Sequence, residues 1–345
     1  MTRSLLFWRW QLVRCLVLLS LSPALAQTAP ACKYFRTGNA ENATASPRAG
    51  YALMGGGADL DEAFKWLCDH AGGGDLLVLR ATGTDAYDPY IQSVCHLNSV
   101  ATLIIPSRAA AADPFVAKTI RNASALFIAG GDQANYINFW QGTPVQEAMN
   151  AAIRRGVPVG GTSAGLAVLG QFAYTAQGDK PDDPNLDSKA ALANPFEPRI
   201  TLTRNFLSIP ILKGIITDSH FAKRDRMGRL LVFLARLNEP DGKPLPPAAR
   251  PGIRGIGIEE RAAILVDADG HATVIGHGSA YFVGPVDDAI IPAIEKPVAS
   301  LSATVLKVQS GHAFDLKAWK GDAVSYTLSV QEGAIHSTQA GGAVY

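Results

Sequence analysis

The chain has 345 residues, 48% of them apolar and 18% charged, so it can bury a large core, and disorder is excluded for most of its length. Its 31 Lys and Arg against 30 Asp and Glu leave a net charge of +1. That balance offers no electrostatic footprint for nucleic acid or an anionic membrane surface, and the partner expected is a small molecule or a peptide.

Residues 1–26 read as a secretory signal peptide. Arg3, Arg9 and Arg14 precede the apolar run 15–21, and Pro23-Ala24-Leu25-Ala26 is a small-residue cleavage site. The apolar run falls short of the ~20 residues a bilayer span needs, so the expectation is export to the periplasm or medium with cleavage after Ala26, not a membrane anchor. Cleavage removes Cys15 and leaves Cys32, Cys68 and Cys95. In an oxidising compartment three thiols allow one disulfide, and Cys68 with Cys95 is the more plausible pair.

Residues 27–49 are small and polar and are expected to form a flexible leader. From Tyr51 onward short apolar runs alternate with helix-length segments. Residues 51–54, 76–79, 103–105, 126–129 and 157–159 read as buried strands, and 60–71 as a helix. Strand, helix, strand at this spacing argues for an α/β domain over 50–290, with a mostly parallel sheet covered by helices on both faces. Residues 179–199 read as a long surface loop and 224–237 as a helix. A break with five prolines spans 239–252, after which the chain turns β-rich, continuing as a C-terminal extension over 291–345 packed on the same domain.

Gly161-Thr162-Ser163-Ala164-Gly165 matches the G-x-S-x-G pattern of a nucleophile elbow, between a buried strand and a helix start. Small neighbours let strand and helix approach while a serine at the apex points outward, and the amide of Ala164 is placed to donate to an oxyanion. Gly130-Gly131-Asp132-Gln133 also follows a strand and opens a helix. Two such turns at the carboxyl ends of parallel strands converge on one crevice, which makes Gly131 a second oxyanion donor and aims Gln133 at substrate.

Of the seven histidines, His220 stands at a strand-to-helix junction and is the candidate base; no pair of histidines has zinc-site spacing. The acid that orients it is Glu259 or Glu260, which follow the strand 255–258 and face opposite ways. Asp218 competes, but its nearness to His220 suits it better to fixing the loop. The chain order Ser, His, acid departs from that of an ordinary α/β-hydrolase, whose acid falls between serine and histidine. The run His70-Ala71-Gly72-Gly73-Gly74 follows a helix and is expected to be its glycine C-cap.

Gly130-Gly131-Asp132-Gln133, residues 160–165, Asp218-Ser219-His220-Phe221 with Arg224, Arg226 and Arg229, and residues 255–260 together resemble the serine peptidase family that contains cyanophycinase and aspartyl dipeptidase, relatives of class I glutamine amidotransferases. The resemblance implies a class I glutamine amidotransferase-like fold and a triad of Ser163, His220 and Glu260, choosing Glu260 over Glu259. It also implies Gly131 and Ala164 as oxyanion donors, with Gln133, Arg224, Arg226 and Arg229 holding a β-linked aspartyl substrate. One residue departs from the pattern: Ser219 stands where cyanophycinases tend to have Gln. The expected activity is therefore hydrolysis of cyanophycin to β-Asp-Arg through an acyl-enzyme, with an isoaspartyl or aspartyl dipeptide as the alternative substrate. A non-catalytic binding protein on the same fold is the alternative of another class. No metal or organic cofactor is implied, and a homodimer is allowed.

Overall fold

The computed structural model describes residues 31–179, 182, 185–238, 252–291 and 295–345. The segment 1–26, expected to be a signal peptide, and nearly all of the proline-rich break lie outside the described residues.

In chain order the first half contains β1 (Lys33–Gly38), β2 (Gly50–Met54), α1 (Asp61–His70), β3 (Asp75–Arg80), α2 (Tyr87–Val94), β4 (Ser99–Ile104), α3 (Arg108–Ala111), α4 (Pro114–Asn122), β5 (Ala125–Ile128), α5 (Gln133–Trp140), α6 (Pro144–Arg154), β6 (Val159–Thr162) and α7 (Ala164–Ala167). The second half contains β7 (Phe172–Tyr174), α8 (Ser188–Ala193), β8 (Leu202–Arg204), β9 (Ile215–Asp218), α9 (Met227–Asn238), β10 (Arg254–Ile258), β11 (Ala262–Asp267), β12 (His271–Gly276), β13 (Ser279–Val283), β14 (Asp287–Ile290), β15 (Ser300–Gln309), β16 (Ala313–Asp315), β17 (Lys320–Gly321), β18 (Val324–Gln331) and β19 (Ala334–Ser337).

The parallel sheet expected from the sequence is the centre of a larger one: β4-β3-β5-β6-β2 run parallel, while β1 on one side and β11-β12-β16-β17 on the other are antiparallel. Its strands are apolar on both faces. Ala52, Val78 and Phe127 pack under α1 and α2 with Phe64, Leu67 and Ile91, whereas Leu53, Leu79 and Ile128 face Ile120, Trp140 and Met149 of α4 to α6. Alternating residues of one strand thus enter two cores, which is what continuous apolar runs in a covered sheet require. Cys68 of α1 is disulfide-bonded to Cys95, just past α2, with a Cα separation of 6.1 Å, while Cys32 is a free thiol.

Two expectations need correction. The stretch 27–49, expected to be a flexible leader, contains β1. Tyr34 packs edge-on to Phe115 at 5.4 Å, and Arg36 pairs with the buried Asp75 at 3.0 Å. The strand-forming aromatics Tyr34 and Phe35 are embedded in polar residues that mask them. The loop expected at 179–199 also contains a helix: α8 lies within it, capped by Asp187, with Ala191 and Leu192 buried against α9.

The sequence did not announce a second sheet. It has the order β19-β18-β15-β13-β10-β9-β7-β8, with β14 beside β15. Within it β7, β9 and β10 are mutually parallel and the other pairs antiparallel. One face, through Ile256, Ile258 and Phe282, joins the core of the first sheet; the other, through Ile216, Tyr281 and Val283, is covered by α8 and α9. Among the described residues of the C-terminal extension, β15, β18 and β19 join this sheet and β16 and β17 the first. Among the described residues no helix is long and apolar enough to cross a membrane.

Candidate active site

β6 ends at Thr162, and Ser163 turns the chain at φ 54° and ψ −115° before α7 begins. An L residue in such a sparsely populated region costs of order 1–3 kcal/mol, so the surroundings must impose it. They do so through the Ser163 amide, which donates to the Met54 carbonyl at 3.2 Å, and through the Ser163 carbonyl, which accepts from the Ala167 amide at 3.0 Å. Gly165 is needed for approach, since a Cβ there would lie 2.0 Å from the Ile128 carbonyl oxygen.

The other two groups come from the second sheet. β9 and β10 are parallel neighbours with Asp218 opposite Gly257, so the residues after them emerge side by side. His220 turns at φ 47° and Arg261 at φ 61°. The His220 Nε2 lies 2.7 Å from Ser163 Oγ, and its Nδ1 lies 2.7 Å from Glu260 Oε1. A carboxylate on Nδ1 fixes the tautomer in which Nδ1–H donates and Nε2 accepts from the serine hydroxyl. Burial lowers the proton affinity of His220, the bond to Glu260 opposes that, and the charges of Arg224 and Arg226 reinforce it, with a net shift downward. The hydrogen bond from His220 lowers the Glu260 pKa against a smaller effect of burial.

Geometry also separates the two glutamates. Glu259 faces away from His220, accepting from the Ser279 amide at 3.0 Å and the Tyr281 hydroxyl at 2.5 Å, while Glu260 meets the imidazole. Asp218 does neither: its carboxylate is buried and held by Arg229 at 2.8 and 2.5 Å.

A part of the site that sequence reasoning missed is the turn Gly55-Gly56-Gly57 after β2. The carbonyl of Met54 accepts from Ser163, that of Gly55 from His220 at 2.8 Å, and that of Gly56 from Arg261 at 2.8 Å, so one turn ties together the three chain reversals. Gly56 sits at φ +92°, and a Cβ on it would come within 2.6 Å of the imidazole Cε1. Three glycines directly after a buried strand were the available signal.

The remaining candidates divide. Gly130 lies against Ser163, a Cβ there standing 3.5 Å from that of the serine, so the peptide carrying the Gly131 amide borders Ser163, as does the amide of the adjacent Ala164. Gln133 is half-buried at the start of α5, where Asp132 caps the Ala134 amide at 2.9 Å. Arg224 is exposed on the turn before α9 and acts on both His220 and Glu260 through its charge. Arg226 and Arg229 do not fit the substrate-holding role expected for them. Arg229 is 1% exposed, clasps Asp218 and stacks over Tyr174 at 5.0 Å; Arg226, 6% exposed, donates to the Ser219 carbonyl at 2.9 Å and to Asn185. Helix α9 begins only at Met227, so Arg226 stands on the turn before it and Arg229 on its inner face; both point into the core, where they share the carboxylate of Asp218.

By class, then, this is an α/β protein with serine, histidine and glutamate in hydrogen-bonded series at a strand–turn–helix elbow. Comparison with known proteins agrees with the resemblance drawn from the motifs. The model of peptidase family S51 matches residues 52–198, a stretch that includes Ser163 and ends before His220 and Glu260. A cyanophycinase of Trichormus variabilis is 30% identical over 175 residues, covering 50% of this chain and 49% of that protein. A cyanophycinase of Synechococcus elongatus is 29% identical over 192 residues, covering 55% and 51%. The chain spans about half the length of the curated relatives it matches. Among solved structures, a peptidase from an acI-B1 Actinobacterium aligns with a TM-score of 0.48 at 15% identity, over 78% of this chain and 97% of that one. Over these stretches the chain is similar to peptidase family S51 and to the cyanophycinases.

Proposed function

We propose that this protein is an exported serine peptidase of cyanophycinase type, acting on a β-aspartyl-linked peptide through an acyl-enzyme. The observation that carries the proposal is the unbroken series from Ser163 Oγ through His220 to Glu260, with both links at 2.7 Å. In this reading His220 Nε2 takes the hydroxyl proton as Ser163 Oγ attacks the carbonyl carbon. Glu260 holds the imidazole and stabilises its positive charge. The oxyanion is met by the amides of Gly131 and Ala164, and the proton passes from His220 to the leaving amine. Water then attacks the ester, with His220 again as base, and releases Ser163. Gln133 and Arg224 are the side chains proposed to engage the substrate; the arginine suits a carboxylate.

The matched relatives bear the name cyanophycinase, which favours cyanophycin, cut to β-Asp-Arg, over simple isoaspartyl dipeptides. Reaction with a fluorophosphonate is expected to label Ser163 and to fail in Ser163→Ala, which also loses hydrolysis of both substrates. Equal behaviour of the two proteins would overturn the enzyme reading, and cleavage of dipeptides without release of β-Asp-Arg would overturn the substrate.

A further inference from the structure

We infer that residues 339–345 form a staple beneath the turn that carries His220, and that Tyr345 is a positioning residue for the imidazole. This inference rests on the triad reading above and concerns a segment far beyond the stretch matched to family S51.

Two backbone amides at the start of α9 donate to remote hydroxyls: Met227 to Tyr345 Oη at 2.9 Å, and Gly228 to Ser188 Oγ at 2.8 Å. Both hydroxyls donate in turn to Asp225 Oδ1, each at 2.9 Å. Orphan amides at a helix start need such acceptors, and here one of them comes from the far end of the described chain. Burial raises the Tyr345 pKa above that of an ordinary phenol.

Residues 219–226 lie between this cap and the triad. Asp225 adopts φ 47°, the Arg224 amide donates to the His220 carbonyl at 3.0 Å, and the Arg226 amide donates to the Phe221 carbonyl at 3.0 Å. The Tyr345 ring stands edge-on to Phe221, the residue after His220, at 5.9 Å. It also stands edge-on to Tyr281 at 5.8 Å, and the Tyr281 hydroxyl holds Glu259, the residue before Glu260. One side chain therefore supports the neighbours of both base and acid while touching neither. The segment is itself tied down, Tyr326 donating to the Val344 carbonyl at 2.7 Å and Gln339 to that of Ala343 at 2.9 Å.

The test is the rate at which a fluorophosphonate labels Ser163, followed across the titration of His220 in the full chain. Tyr345→Ala is expected to lower the rate per folded molecule about tenfold, because a small displacement of a catalytic group is amplified in rate. Tyr345→Phe, which keeps the ring and loses the hydroxyl bonds, is expected to fall between. With looser packing more water reaches His220, which otherwise faces Glu260, Arg224 and Arg226, so the midpoint of the acid limb is expected to move up. A purely structural tyrosine would change the folded fraction and leave rate and midpoint alone; wild-type rate and midpoint in both variants would overturn the inference. If the wild-type protein is not labelled, the triad reading fails by itself. The inference is then decided by the NMR signal of the His220 Nδ1 proton, which must broaden or vanish in Tyr345→Ala and be unaltered if the staple does nothing.

Discussion

His220 is the residue on which the proposed chemistry turns, and its environment sets a pH dependence. In that proposal the neutral imidazole is the base, and burial together with two arginines outweighs the bond to Glu260 and lowers its pKa from the ordinary 6.5. Activity is therefore expected to be lost only as pH falls through a midpoint below 6.5, and an acid limb above that value would contradict the burial described. The arginines separate at the same scale. Arg229 neutralises a buried carboxylate: burial alone would raise the Asp218 pKa, but Arg229 and then Arg226 bring it below its ordinary value. Removing one partner of such a pair costs roughly 3–5 kcal/mol, so Arg229→Ala is expected to unfold at much lower denaturant concentration. Arg224→Ala is expected to keep its Tm and to lose about tenfold in kcat/KM, which steady-state kinetics would read as a rise in KM. The serine elbow, the histidine and the pair of candidate acids were visible in the sequence. The burial of Arg226 and Arg229 was not, because a helix-spaced arginine looks the same whether its face is wet or packed.

Among elements, strands and helices with apolar runs were legible near their true bounds, as at β2, β3, β5 and α1. β1 and α8 were not: β1 sets two aromatics among polar residues, α8 is a single short helix inside a polar stretch, and each is held by contacts remote in sequence, Tyr34 with Phe115 and Ser188 with Asp225. The Cys68–Cys95 bridge joins α1 to the end of α2 across 27 residues. Closing a loop of that length contributes about 3–4 kcal/mol through the unfolded chain. If the protein is exported to an oxidising compartment, as proposed, it is expected to carry the bridge. Cys95→Ala is expected to lose about that much stability in a denaturant titration while Ser163 still reacts with a fluorophosphonate.

For the whole molecule, the candidate site lies where two sheets meet, Ser163 arriving from β6 of the first and His220 and Glu260 from the parallel pair β9 and β10 of the second. The sequence by itself determined which residues could do the chemistry: a serine in a glycine turn after a buried strand, a histidine at the end of another, and two glutamates after a third. Those are local patterns of backbone sterics and apolar runs, and such patterns survive without a fold. Local pattern left Glu259 and Glu260 open and only the resemblance chose Glu260; the tertiary structure brings Glu260 to His220, ties the three turns through the carbonyls of Met54, Gly55 and Gly56, and makes Arg226 and Arg229 core groups. Each of these depends on which strands pair and which helix face is covered, and strand pairing is set by long-range packing that no run of neighbouring residues records.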